Sequence, residues 1–262
     1  MKVPFVSIGR QYDFLRDEFI RTFDEVGSSG QYIMGSGLSE FETKIASYCE
    51  TKYALGLANG SDALFLALKA MGIGEGDEVI TCPNSFIASA WVIEATQART
   101  VFVDCAEDYN IDFSKIEEAI NPNTKAIIPV HLTGRPSPMD EIKEIALKYN
   151  LHILEDSAQA IGAKYKGNKV GSLGDGAAFS LHPLKNLGVM GDGGVFTTNN
   201  EELYQTVKKL RNHGLKNRDE CEIWGFNSRL DSLQAELASI KLNHLDTWNL
   251  RFREIAEFYR SN

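Results

Sequence analysis

Short apolar runs alternate with amphipathic segments along most of this chain, and this alternation restricts the possible folds more than any other feature. Residues 126–130 and 152–155 resemble strands, and between them Ile142, Ile145 and Ala146 recur at helical spacing. A strand, a helix and a second strand in succession are typical of a parallel strand pair. The pattern therefore predicts an α/β fold, in which helices flank a mostly parallel sheet.

The same patterns predict further elements along the chain. Strands are expected at residues 53–58, 78–81, 100–104, 177–181 and 195–198. Helices are expected at residues 15–26, 38–50, 84–97, 116–119, 201–211 and 231–245, and directly after Asn59. Ser137 and Pro138 are expected to cap and begin the helix that ends near residue 150, because proline suits the first helical position.

Composition excludes several classes of protein. The 262 residues suffice for one large core, or for one large and one small domain. A net charge of −9 disfavours a general binder of nucleic acid or anionic membranes. The four cysteines form no CxxC pair and the five histidines lack metal-ligand spacing, so no metal site is expected. Neither a signal peptide nor a membrane-spanning run is apparent, so a cytoplasmic protein is expected.

One lysine, Lys185, lies in the segment SLHPLKNLGVMGDGG, between two strand-like runs. Most lysines are solvated surface residues, and that is the ordinary interpretation of any single one. A lysine beside apolar strands loses solvation, however, and its pKa falls toward the range that an amine nucleophile needs. Such an amine can form a Schiff base with a carbonyl group, including that of pyridoxal 5'-phosphate (PLP).

A PLP site also needs a carboxylate beside the pyridine nitrogen, and Asp156 is the candidate. It follows the strand-like residues 152–155, where open α/β sheets present ligand-binding groups. The alternative is that Asp156 caps the segment that follows it.

The phosphate of PLP needs backbone amides and hydroxyl groups at a helix start. Gly60 and Ser61 open the helix that follows Asn59, and Gly60 would let a phosphate approach the backbone. Phe86 is a candidate to stack on the pyridine ring. The alternatives are an ordinary helix start for the first two residues and a core aromatic for Phe86.

Taken together, these residues resemble the DegT/DnrJ/EryC1/StrS family of PLP-dependent nucleotide-sugar aminotransferases. The resemblance covers nearly the whole chain and follows the order of the family. It rests on the segments NGSDAL, CPNSFIASA, PVHLTG, LEDSAQA, SLHPLKNLGVMGDGG, LRNHG and GFNSRLDSLQA. It implies PLP fold type I, the aspartate aminotransferase-like fold, with a mostly parallel mixed sheet flanked by helices.

The resemblance also implies roles for individual residues. Lys185 would be the Schiff-base lysine and Asp156 the partner of the pyridine nitrogen. The remaining cofactor-binding residues would be Gly60, Ser61 and Ser180 at the phosphate, Phe86 and Gln159 at the ring, and Asn227 at the phosphate of the neighbouring subunit. The family's active site would therefore be shared across a homodimer.

The implied reaction moves an amino group from an amino acid, with glutamate as the expected donor, to a ketone on a nucleotide-linked deoxysugar. This would be a step in the biosynthesis of amino sugars, surface polysaccharides or glycosylated metabolites. One alternative is a sugar dehydratase of the same family, but that group has histidine in place of the lysine, and Lys185 disfavours it. Another alternative is a PLP-binding regulatory or scaffold protein without turnover.

The domain division follows from the same resemblance. Residues 1–240 would form the PLP-binding large domain with its N-terminal helical segment, and residues 241–262 would begin a small C-terminal domain. Family members continue well beyond this point, so the small domain is expected to be truncated here.

Other polar residues have both a functional and an ordinary interpretation. The GDGG segment at residues 191–194 lacks the strand and helix context of a dinucleotide-binding loop. His182 is close enough in sequence to Lys185 to contact the cofactor or the substrate. Arg135, Arg211, Arg229 and Lys216 could bind a diphosphate, but each is better explained as a solvated or structural charge.

Overall fold

The computed structural model describes residues 3–262, and in this part of the chain a seven-stranded sheet forms the centre of the molecule. The spatial order of its strands is β1-β9-β8-β5-β4-β2-β3. Their bounds are β1 Tyr53–Leu57, β2 Glu78–Thr81, β3 Arg99–Phe102, β4 Thr124–Ile128, β5 His152–Asp156, β8 Gly176–Ser180 and β9 Gly194–Thr198. The remaining strands, β6 Lys164–Tyr165 and β7 Asn168–Lys169, form a small antiparallel hairpin.

The sheet is mixed but mostly parallel, as the sequence predicts. β9 is antiparallel to both of its neighbours, β1 and β8, whereas the pairs from β8 through β5, β4 and β2 to β3 are parallel. Strand β1 therefore runs in the same direction as β8. The carboxyl ends of β1, β8 and β5 consequently lie along one edge of the sheet, where α/β folds place their ligand sites.

Helices cover both faces of the sheet. They are α1 Gly9–Ser29, α2 Ser36–Tyr48, α3 Gly60–Ala70, α4 Ala88–Ala95, α5 Ile116–Ala119, α6 Met139–Tyr149, α7 Glu201–Leu210, α8 Ser232–Leu242 and α9 Leu245–Ser261. Strand β4 shows how the two layers arise. Ile128 packs in the cluster that includes residues of α3 and α7, whereas the adjacent Ile127 packs with Ile142 of α6. Alternating side chains of a strand buried on both sides thus serve two cores.

Several sequence-based boundaries differ from the structure, and the first helix, predicted from residue 15, begins at Gly9. Helix α4 begins at Ala88, and the segment from Pro83 to Ile87 forms a turn before it. Ser137 does not cap α6, because its hydroxyl donates instead to the carbonyl of Val130 at 3.0 Å, and Pro138 is the residue before the helix. The long helix expected from residue 231 is interrupted at Asn243 and His244, which separate α8 from α9.

Helix α9 joins the rest of the molecule through its first turns. Asn249 accepts a hydrogen bond from Asn186 at 2.6 Å and donates to the carbonyl of Ile161 at 3.2 Å. Beyond Asn249 the side chains of α9 are exposed. Among residues 3–262, none of the helices combines the length and the apolar character that crossing a bilayer demands.

Candidate active site

A cavity of about 600 Å³ opens at the carboxyl edge of the sheet, a size typical of sites for small molecules. It lies where β5, β8 and the start of α3 meet. Its lining includes seven of the eight residues proposed from the sequence: Gly60, Ser61, Phe86, Asp156, Gln159, Ser180 and Lys185. Residues separated by up to 125 positions in the chain are therefore brought together around one space.

Lys185 lies in the tight loop that connects β8 to β9. Its backbone N–H donates to the carbonyl of His182 at 2.8 Å. The N–H of Val189 donates to the carbonyl of Leu181 at 2.8 Å and closes the loop. The side chain is half-buried. Desolvation lowers the pKa of the Lys185 ammonium, and the carboxylate of Asp156 opposes that shift. The lysine is thus closer to its neutral, nucleophilic form than a surface lysine is.

Asp156 ends β5 and is 6% exposed. Its backbone pairs with the segment that follows β4. The N–H of Asp156 donates to the carbonyl of Pro129 at 2.9 Å, and its carbonyl accepts from the N–H of His131 at 3.0 Å. Its carboxylate accepts from the backbone N–H of Ala158 at 3.2 Å and from the hydroxyl of Ser89 at 2.6 Å. The carboxylate is therefore held at the cavity wall from several directions.

The start of α3 provides a cradle for an anion. Asn59 caps the helix by accepting from the backbone N–H of Asp62 at 2.8 Å. The N–H groups of Gly60 and Ser61 lie in the same first turn and are not used by that cap. A Cβ at Gly60 would come within 2.9 Å of the Cβ of Ser180, so only glycine allows this close approach. Exposed helix-start amides beside two hydroxyl groups suit a phosphate.

The two proposed ring contacts line the same cavity. Phe86 is 72% exposed and lies in the turn before α4, so it is not a core aromatic. The side-chain oxygen of Gln159 accepts from the backbone N–H of Thr133 at 2.9 Å, which fixes the amide and leaves its NH₂ group as a donor.

Asn227, the eighth residue, does not line the cavity. It is exposed and pairs through its backbone with Asn212, as an isolated antiparallel bridge. Within a single chain the structure therefore does not bring Asn227 into the site with the other seven residues.

These residues fit PLP. The glycine at position 60 leaves room that a side chain would fill, directly beside Ser61 and Ser180. The same cavity contains an amine with a lowered pKa and a buried carboxylate. PLP has a matching group for each: a phosphate for the helix start, an aldehyde for the amine, and a basic ring nitrogen for the carboxylate.

A buried polar cluster lies behind Asp156 and was not recognised in the sequence. Glu155 and His131 are fully buried, and the ring Nε2 of His131 donates to the Glu155 carboxylate at 3.0 Å. Three backbone N–H groups, those of Gly171, Leu173 and Gly174, also donate to this carboxylate at 2.8–3.0 Å. Successive strand residues face opposite sides, so Glu155 anchors β5 from the side away from the cavity.

Several cavity residues were also missed in the sequence, namely Ser85, Trp91, Ala158 and Asp192. The four-residue spacing of Ser85 and Ser89 is a signal that could have placed them together beside α4. His182, weighed as a possible contact, does line the cavity. The four cations weighed for a diphosphate do not. Arg211 is buried against Glu42, and Arg135 pairs with Asp108 at 3.3 Å.

The mixed sheet, the helices on both faces and the lysine opposite a buried carboxylate define an α/β protein of PLP fold type I. The chain belongs to the DegT/DnrJ/EryC1/StrS aminotransferase family, whose model matches residues 13–262.

Curated relatives carry two kinds of name. The dTDP-3-amino-3,6-dideoxy-alpha-D-galactopyranose transaminase of Aneurinibacillus thermoaerophilus is 49% identical over 258 residues, which cover 98% of this chain and 71% of the relative. A protein of Geobacillus stearothermophilus called a pleiotropic regulatory protein is 45% identical over 260 residues, which cover 99% of this chain and 70% of the relative.

Solved structures agree closely with the fold. The crystal structure of S. venezuelae DesV, in complex with a ketimine intermediate, superposes with a TM-score of 0.97 at 45% identity and covers 99% of this chain and 70% of that one. Bacillus subtilis NtdA, solved with the bound cofactor PMP, gives a TM-score of 0.88 at 36% identity. The match covers 93% of this chain and 56% of NtdA.

Proposed function

We propose that this chain is a PLP-dependent aminotransferase that moves an amino group from an amino acid to a ketone on a nucleotide-linked deoxysugar. The observation that carries the proposal is the convergence of Lys185, Asp156 and the α3 helix start on one cavity. The transaminase name of the Aneurinibacillus relative and the cofactor-bound structure of NtdA support it. Glutamate is the first amino donor to test.

Seven residues of the cavity would hold the cofactor. Gly60, Ser61 and Ser180 would bind the phosphate, Phe86 would lie against the ring, and Gln159 would offer its NH₂ group beside it. Lys185 would provide the covalent attachment, and Asp156 would accept the hydrogen bond of the ring nitrogen. When bound, PLP supplies an electron sink that stabilises negative charge next to the substrate's C–N bond.

The protein's own groups then handle the protons. Once the amino donor has displaced Lys185 from the cofactor, the freed amine of Lys185 would take a proton from the α-carbon of the donor. It would then return the proton on the other side of the C–N unit, as a general base and then a general acid. Desolvation lowers the pKa of the Lys185 ammonium, which favours the neutral amine that accepts the proton. The carboxylate of Asp156 would hold a proton on the ring nitrogen of the bound cofactor.

A second candidate is a PLP-binding regulator without turnover. One observation favours it, namely the name of the Geobacillus relative, which is 45% identical to this chain. The two candidates share the cofactor site and differ in whether an amino donor is consumed.

Stepwise addition of substrates tests the proposed function. Glutamate added to the PLP-loaded protein should change the absorbance of the bound cofactor as it becomes the amino form, PMP. A nucleotide keto-sugar should then restore the original spectrum, and mass spectrometry should detect the amino sugar. If another amino acid converts the bound cofactor and glutamate does not, only the identity of the amino donor changes in the proposal. If no amino donor alters the spectrum, the aminotransferase assignment fails and the regulator remains.

The homodimer is also part of this proposal. Asn227 is exposed and lies outside its own cavity, which is the arrangement expected of a residue that completes the site of a neighbouring copy. In a two-fold dimer each chain would give its Asn227 to the partner's phosphate site.

Mixing two inactive variants should restore activity if the sites are shared. Lys185→Ala and Asn227→Ala are each expected to be severely impaired alone. A one-to-one mixture, exchanged between subunits, should reach about a quarter of wild-type turnover, because half of the dimers are hybrids with one intact site. Turnover no greater than the sum of the separate variants, or an active monomer in solution, would exclude shared sites.

A further inference from the structure

A line of two hydroxyl groups leads from the cavity wall to the carboxylate of Asp156. The Oγ atoms of Ser85 and Ser89 are 2.7 Å apart, and Ser89 Oγ lies 2.6 Å from Asp156 Oδ2. Ser89 is 1% exposed, whereas Ser85 is half-buried and lines the cavity. The line thus joins the segment before α4 to the end of β5.

The direction of these hydrogen bonds follows from the chemistry of the groups. An ionised carboxylate only accepts, so Ser89 donates its single hydroxyl hydrogen to Asp156. Ser89 then has no hydrogen left for Ser85, and Ser85 must be the donor between the two hydroxyls. Both hydroxyl dipoles are therefore aligned toward the negative charge.

Among residues 3–262, Ser89 provides the only side-chain hydrogen bond to the Asp156 carboxylate, whose other hydrogen bond comes from the backbone of Ala158. The Ala158 bond is local and reaches only two residues along the chain. Ser89 instead ties Asp156 Oδ2 to α4, 67 residues away in sequence. Phe86 lies between the two serines, so the same segment carries the ring contact and the carboxylate support.

We propose that Ser89, supported by Ser85, is a positioning residue that fixes the orientation of the Asp156 carboxylate toward the cofactor's ring nitrogen. This inference rests on the proposed function. Hydrogen bonds to a carboxylate are shorter and stronger than those between neutral groups, so the bond from Ser89 restricts the orientation of the Asp156 side chain. Ser89 is buried behind the carboxylate and acts through it, not on the substrate.

Ser89→Ala tests the inference. Turnover should fall by about tenfold to a hundredfold, the loss expected for one hydrogen bond to a charged group. The KM for the nucleotide sugar should stay within about twofold, because Ser89 is buried behind Asp156 and does not contact the substrate. The ¹⁵N resonance of labelled PLP should show a smaller protonated fraction of the ring nitrogen than in wild type. Asp156→Asn sets the limit of that spectroscopic change.

Two further variants separate positioning from general damage. Ser85→Ala should cost less than Ser89→Ala, because Ser89 still donates to Asp156. Ser157→Ala is the matched control. Ser157 is adjacent to Asp156 and fully buried, and within residues 3–262 its hydroxyl has no hydrogen-bond partner. It should leave the ¹⁵N resonance and turnover unchanged.

The outcomes separate a failure of the positioning role of Ser89 from a failure of the proposed aminotransferase function. If wild-type protein binds no PLP, the proposed function and this inference fall together. If wild type shows a protonated ring nitrogen and Ser89→Ala shows the same resonance and turnover, only the positioning role is excluded. If Ser157→Ala matches Ser89→Ala, the effect comes from a lost buried hydroxyl in general, and the positioning role is again excluded.

Discussion

Replacing Lys185 with alanine is expected to abolish turnover, with a loss of about 10²–10⁴-fold from proton transfer alone. The variant also loses the covalent attachment of the cofactor, so the total loss should exceed that range. The physical reason is that Lys185 is the amine in the cavity whose pKa burial lowers, facing the Asp156 carboxylate. Single-turnover absorbance measurements with an amino donor give the size of the effect.

Chemical labelling checks the same residue independently of turnover. Borohydride reduction of the wild-type holoprotein should leave a pyridoxyl group on Lys185, located by peptide mapping. Lys69→Ala is a suitable control, because Lys69 is exposed at the far end of α3 from the cavity. Lys185→His should lose the exchange with amino donors, since imidazole moves protons but does not re-form the attachment. A label on a different lysine would refute the assignment.

Much of the fold could be predicted from the sequence because local patterns and burial agree. Strand β2 has the predicted bounds, and β5 ends one residue beyond the predicted segment, at Asp156 itself. Asp156 and Gly60 were recognisable because each follows a short apolar run, and the ends of such runs meet at one edge of a parallel sheet. Their positions after these runs, together with the needs of a PLP site, therefore predicted that they share a site.

Other features depend on contacts that no local pattern contains. Strand β9 resembles β8 in sequence character, yet it runs in the opposite direction because the excursion around Lys185 returns directly beside β8. Ser137 had the sequence of a helix cap, but the carbonyl of Val130 offered its hydroxyl another partner. The bond between Ser89 and Asp156 and the burial of Glu155 likewise arise only once distant segments meet.

Glu155 illustrates how strongly such distant contacts can constrain the site. Its carboxylate accepts four hydrogen bonds in a fully buried position, from His131 and from the 171–174 backbone. The ring Nδ1 of His131 accepts from the backbone N–H of Ser137 at 3.0 Å, so the hydrogen of the neutral ring is on Nε2 and points to Glu155. The Glu155 side chain thereby joins β5, the segment that follows β4 and the loop before β8, directly next to Asp156.

Glu155→Ala is therefore expected to lower the free energy of unfolding by about 3 kcal/mol or more, because each buried donor left unsatisfied costs about 1–3 kcal/mol. Four donors would be left without their acceptor, and a buried unpaired donor is costly. Urea denaturation measures the loss, and thermal melting should fall by about 2–4 °C per kcal/mol. Glu144→Ala, at an exposed position of α6, is the control and should change stability by no more than about 0.5 kcal/mol.

Because the cluster holds the strand that carries Asp156, PLP affinity should fall together with stability. A Glu155→Ala protein as stable as the control would show that the four hydrogen bonds contribute nothing net, and normal PLP affinity in a destabilised variant would show that Asp156 is held in place without them.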